Sequence, residues 1–395
     1  MSFMQLEEPP RAAPRGFALW QLGFRPFYLL ASSFAALSIA LWALQYAGLL
    51  GAAYLGGPMW HAHEMLFGFV LAVIVGFLLT AGRNWANQPT PTGAPLAALA
   101  ALWLAARVLV LTPWGWAAAA ANVGFAWASA YALGRALWAG RSQRNYFFVG
   151  LLVLMGVASL AVHLQLLGVL ELPGWVGINL ALDVVLFIMA VMAGRVLPMF
   201  TNNGVPGAQA RRDARVEKVA LGSLLVLLAA DLLPLPAWVI VVLCLVAAAA
   251  HLARWWLWEP WLTLRTPLVW VLHAAYLWIP LHLALRAAAA LGWIIPSLAT
   301  HALVAGAAGG LIIGMMTRTA RGHTARPLKA DRADVACYVL VLAAGAVRVF
   351  VPLVLPAWTL GAVLVSATLW SAGFALYAVV YGPRLWRPRL DGRPG

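Results

Sequence analysis

Charge is scarce in this sequence. Charged residues make up 10% of the 395, hydrophobic residues make up 64%, and the mean hydropathy is +0.87. A soluble chain carries about 25% charged residues. So little polar surface excludes an ordinary water-soluble domain, and the solvent of most of the chain must be lipid. Acidic residues are scarcer still, 12 against 26 Lys and Arg, for a formal charge of +14. An excess of that size can mark a nucleic-acid binder. Here the basic residues recur at intervals between apolar runs, which is a membrane-topology pattern, and no nucleic-acid partner is expected. Cysteine is almost absent. Cys244 and Cys337 both lie in apolar stretches, which excludes a disulfide framework or a structural zinc site and leaves two small buried hydrophobes. No nucleotide-binding glycine loop is present. The first 25 residues are polar and Pro-rich, so no cleavable signal peptide is expected.

Long apolar runs dominate what remains. A membrane helix needs about 20 apolar residues. Twelve runs qualify, approximately 26–49, 58–81, 94–112, 115–139, 145–170, 174–200, 215–233, 236–258, 266–289, 295–317, 333–352 and 355–381. The expected fold is all-α, a polytopic transmembrane helical bundle of about twelve helices. It would comprise a cytoplasmic segment 1–25, one membrane domain 26–381 and a cytoplasmic tail 382–395. Alternate connections carry the arginines: Arg83; Arg141 and Arg144; Arg211, Arg212 and Arg215; Arg254 and Arg265; Arg318, Arg321 and Arg326. The intervening connections are short and nearly uncharged. By the positive-inside rule both termini face the cytoplasm of a bacterial inner membrane.

Ionisable groups inside a bilayer are costly and therefore candidates for function. On this topology five of the eight histidines share the outer half: His61, His63, His163, His282 and His301. Glu64 and Asp183 lie at similar depth and are candidates to support them. Imidazole is a common ligand of metals and of haem. A metal or haem site is one reading of this shared depth, and hydrogen-bonded helix contacts are the other. His61 and His63 are two residues apart, about 200° on a regular helix, and cannot ligate one metal there. Either they serve two centres, or His61 lies in an irregular first turn. Arg107, Arg286 and Arg348 also lie in outer parts of spans. Carboxylates, including haem propionates, would suit them, as would Glu64, Asp183 or Asp231. Gly306, Gly309, Gly310 and Gly314 read as helix packing.

The second, sixth and tenth spans each end with Arg and Thr, and each has a polar residue in its outer part: His63, Asp183 and His301. This pattern hints at three four-helix repeats.

Three segments carry a family resemblance: Gly23-Phe24-Arg25-Pro26-Phe27, Trp60-His61-Ala62-His63-Glu64-Met65-Leu66-Phe67-Gly68, and Arg195-Val196-Leu197-Pro198-Met199-Phe200-Thr201-Asn202-Asn203-Gly204. The chain resembles the NnrS family over nearly its whole length. The resemblance implies a bacterial twelve-helix membrane protein that contains haem b and copper. It implies a role in nitric oxide metabolism or in resistance to nitrosative stress, often alongside denitrification. On that basis His63 and His301 are expected to ligate haem from facing helices. His61, His163 and His282 would supply a second, metal centre or its outer shell, and nitric oxide would arrive through the lipid. The three-by-four arrangement is also reminiscent of the catalytic subunit of haem–copper oxidases, although here the seventh span has no histidine and the sixth has Asp183. A secondary transporter using buried His, Arg and Asp groups is the alternative.

Overall fold

The computed structural model describes residues 16–49, 54–172 and 175–393. Among these residues the structure is helical and contains no strand. Twelve helical rods follow one another: α1 (Phe24–Tyr46), α2 (Gly57–Ala86), α3 (Gly93–Leu109), α4 (Gly115–Ala139), α5 (Phe147–Leu166) and α6 (Val176–Gly204), then α7 (Ala214–Ala230), α8 (Ala237–Leu257), α9 (Pro267–Ala290), α10 (Pro296–His323), α11 (Arg332–Val354) and α12 (Thr359–Trp386). Nine of them are long and apolar enough to cross a membrane by themselves. The exceptions are α3 and α7, at 17 residues each, and the alanine-rich α4.

The rods start where local chemistry allows it. Proline stands in the first turn of α2, α9 and α10, where its missing N–H costs no helical bond. Asp213 accepts from Arg215 N and Val216 N at the start of α7, and Asp331 forms a capping box with Asp334 at the start of α11. Several ends run past the sequence expectation, among them α2 at Ala86 instead of 81 and α12 at Trp386 instead of 381. The sixth rod continues through Pro198 to Gly204 instead of stopping near 200, because the Asn202 side chain exchanges two hydrogen bonds with the Ala210 backbone. The tenth runs to His323 instead of 317, so His323 ends a helix rather than lying in a loop. Its ring packs 5.4 Å from that of Phe24.

Consecutive rods pack as antiparallel neighbours, and α12 packs against both α11 and α1, closing the ring. Inside it lie α2 and α10, the two most deeply buried of the candidate spans, together with α6. These three rods, four apart in the series, line a central apolar cavity. They share a device near the end of the bundle that carries most of the arginines. Thr80, Thr201 and Thr317 each bond back to a carbonyl four residues earlier, at 2.7, 2.8 and 3.1 Å. Each hydroxyl also reaches a neighbouring rod, meeting Phe24 N, His273 Nε2 and Tyr338 OH respectively. Such back-bonding offers the backbone an alternative partner inside a helix. Close packing needs the glycines: a Cβ on Gly306 would lie 2.2 Å from the Trp278 ring, and one on Gly345 would lie 3.1 Å from Gly306 Cα.

The rod α9 is interrupted by a turn at Leu277, and two other rods depart from α geometry at one place each. The helix widens to π form over Glu64–Val70 in α2 and over Ala302–Ala308 in α10. Each π segment begins at the residue after a histidine, His63 or His301. Such segments occur frequently at functional sites.

Candidate functional site

The two histidines of α2 leave the rod in different directions. The first turn ends on His61-Ala62-His63, just before the π segment, and the i, i+2 spacing divides the rings between two neighbourhoods. The ring of His61 meets that of His301, and the ring of His63 meets that of His163. The expected pairing of His63 with His301 is therefore replaced by His61 with His301.

The His61–His301 pair is nearly parallel, with an interplanar angle of 8° and centroids 6.0 Å apart. On its other side His61 stacks on Trp42 at 4.8 Å. His301 Nδ1 donates to the Ser297 carbonyl at 2.6 Å. A carbonyl can only accept, so the proton sits on Nδ1, and Nε2 keeps a free lone pair. His61 Nδ1 is buried without a partner. Both rings line a mostly apolar cavity between α1, α2, α10, α11 and α12. Arg348 lines the same cavity, and among the described residues it has no carboxylate within ion-pair distance.

The His63–His163 pair is set edge to face, at 77° and 5.0 Å. His63 Nδ1 lies 2.8 Å from Glu64 Oε1, which also accepts from Arg107 Nη1 at 2.6 Å. Arg107 donates in addition to Asn122 Oδ1, and Asn122 donates to the Ala118 carbonyl at 2.8 Å. All five side chains are buried. A buried ion pair survives in lipid because each charge is partnered. Close approach makes this arrangement possible, since a Cβ on Gly68 would lie 2.6 Å from Arg107 Nη1. Three imidazole nitrogens remain buried without any partner: His63 Nε2 and both nitrogens of His163.

His282 belongs to a third neighbourhood. Its Nδ1 donates to the Ala299 carbonyl at 2.7 Å. One turn along α9, Arg286 donates to Asp183 at 3.4 Å and to both oxygens of Asp231. Two of the three candidate arginines are thus engaged by carboxylates, Arg107 by Glu64 and Arg286 by Asp183 and Asp231, and only Arg348 is free. Asp183 serves an ion pair and sits beside neither histidine pair. Among the described residues no three His, Cys, Asp or Glu side chains are grouped to hold a metal ion, so the five histidines do not form one centre.

The remaining polar groups lie deeper. His251 Nδ1 meets Tyr276 OH at 2.5 Å. Arg254 donates to Tyr276 OH at 3.0 Å and to Glu217 at 2.8 and 3.1 Å. Sequence reasoning missed Asn122, Trp42 and this cluster. Asn122 had a signal, being an amide inside an apolar run, which seeks a partner. Trp42 had none, since a tryptophan in a span ordinarily faces lipid or core.

The family model described as NnrS protein matches residues 18–389. No curated protein matches the chain.

Proposed function

Since the chain belongs to the NnrS family, we propose that it is a haem- and copper-binding membrane protein that acts in nitric oxide metabolism or in resistance to nitrosative stress. The observation that carries this reading is the facing pair of His61 and His301 beside an apolar cavity. His61 and His301, beside the apolar cavity, would be the residues to hold haem. His63 and His163 would hold a copper ion, with Glu64 orienting His63 through Nδ1. Arg348, with no carboxylate of its own, suits a haem propionate. Copper at this pair would need a further ligand from outside the residues grouped there.

When bound, haem supplies an iron on which a diatomic ligand such as nitric oxide coordinates. The residues divide the work unequally. His301 is oriented by the Ser297 carbonyl, a partner that strengthens a ligating imidazole, whereas Nδ1 of His61 has no partner and its ring is held by stacking on Trp42. Of the two, His301 would be the better oriented to hold the group and His61 the less firmly fixed, and a small apolar gas would reach the site through lipid and the apolar cavity wall. By the positive-inside rule the protein sits in the bacterial inner membrane with both termini cytoplasmic and the histidines toward the outer face. His282 lies in the Arg286 neighbourhood and has no metal role in this scheme. A transporter reading would rest on the Arg286–Asp183–Asp231 group. However, α2, α6 and α10 all run in one direction, unlike inverted repeats.

The test is to purify the protein from cells with adequate iron and copper, measure both metals, record the visible spectrum and add nitric oxide. A Soret band that shifts with nitric oxide is expected. Protein that is fully folded yet free of haem and copper would sink the reading.

A further inference from the structure

At the opposite, arginine-rich end of the bundle a third cavity is lined by Trp85, Arg144, Asn145, Arg195 and Arg212. These come from the end of α2, the α4–α5 connection, the middle of α6 and the α6–α7 connection, so the fold, not the sequence, gathers them. Arg195 is recessed within α6. Its guanidinium lies over the rings of Trp85, Phe147 and Phe148 at 5.8, 5.4 and 5.3 Å, and Nη1 donates to the buried Asn145 Oδ1 at 2.7 Å. Asn145 is tied in turn to Ser142 Oγ. Among the described residues, neither Arg195 nor Arg144 has a carboxylate partner. Arg212 shares Glu217 with Arg254.

Three cations around one hollow repel one another, and only one of them is neutralised. Ordinary topology charges on membrane proteins are mobile and spread out, whereas here the innermost is fixed in orientation by three rings and an amide. The remaining N–H groups of a pinned guanidinium, with two further arginines at the rim, match the several oxygens of a tetrahedral anion. We propose that this cup binds a phosphate oxyanion, carried either by an anionic lipid headgroup at the membrane surface or by free inorganic phosphate. Basic hollows between membrane helices on the cytoplasmic side are suited to lipid phosphates. The proposal does not depend on haem, copper or nitric oxide.

The test uses the full-length protein in nanodiscs of neutral phosphatidylcholine, with and without added phosphatidylglycerol, and separately with inorganic phosphate. Melting temperature and lipids retained in native mass spectrometry are the readouts. The variants are R144Q, R195Q and, as a control that removes the same charge outside the cup, R141Q. The expected result is stabilisation by one probe, with affinity reduced on the order of fivefold per cup arginine and unchanged in R141Q. Stabilisation by phosphatidylglycerol alone identifies a lipid headgroup, and stabilisation by phosphate in neutral discs identifies the free anion. Arg144 is exposed and makes no ion pair, so R144Q carries the test if R195Q does not fold. No binding of either probe, or equal loss in R141Q and R144Q, overturns the proposal.

Discussion

The two imidazole pairs begin two residues apart on α2 and end in opposite surroundings. His63 and His163 are hemmed in by Glu64, Arg107 and Asn122, whose hydrogen bonds account for every charge nearby. His61 and His301 face each other beside an open apolar cavity with one uncommitted arginine. The difference explains why a fully buried and a half-buried histidine pair need not share a ligand, and why sequence depth alone could not sort them.

Four substitution experiments would break or sharpen that contrast. The largest expected effect is on haem content. H301A and H61A should each lower the Soret absorbance per protein by at least about tenfold, while H63A and H163A should keep it and lose copper instead. Haem lost from H63A and retained in H61A would reverse the assignment. Next, R107A leaves the buried Glu64 carboxylate unpaired and should destabilise the fold by about 3–5 kcal/mol. Thermal or denaturant unfolding should show E64Q/R107Q to be less damaged than R107A, and equal damage would mean that the pair is not coupled. Third, G306A forces a methyl group into the Trp278 ring next to the His301 segment. About 1–3 kcal/mol of overpacking is expected, with the haem spectrum perturbed and copper unchanged. Smallest, R348Q should weaken haem retention on the order of tenfold without altering copper, as measured by haem transfer to an acceptor protein. Normal retention in R348Q would remove the propionate role.

Much of this architecture was legible before any coordinates. Twelve apolar runs became twelve rods, because lipid forces every backbone group to bond within its own helix. That His61 and His63 serve different places was one of two readings their spacing allowed. The pairing of Arg107 and Arg286 with Glu64, Asp183 and Asp231 was one of two readings that the residues allowed. Other features were not legible. Nothing in Glu64–Val70 or Ala302–Ala308 announces a π segment, because the wide turn depends on neighbours such as Trp278 and Gly345 packing against it. Asn202 shows how a boundary can move, since its two bonds to Ala210 extend α6 beyond Pro198.

The sequence by itself determined the all-helical class, the number of helical rods and the family, since these follow from composition, run length and local motifs. It also determined that the intramembrane charges must find partners, because a bare charge in lipid is too costly. Only the tertiary structure decided which partner each found. His61 reaches His301 across 240 positions of chain, and Arg286 reaches Asp183 across 103. Such meetings depend on how the ring of rods closes around α2, α6 and α10, and no local pattern of residues encodes that closure.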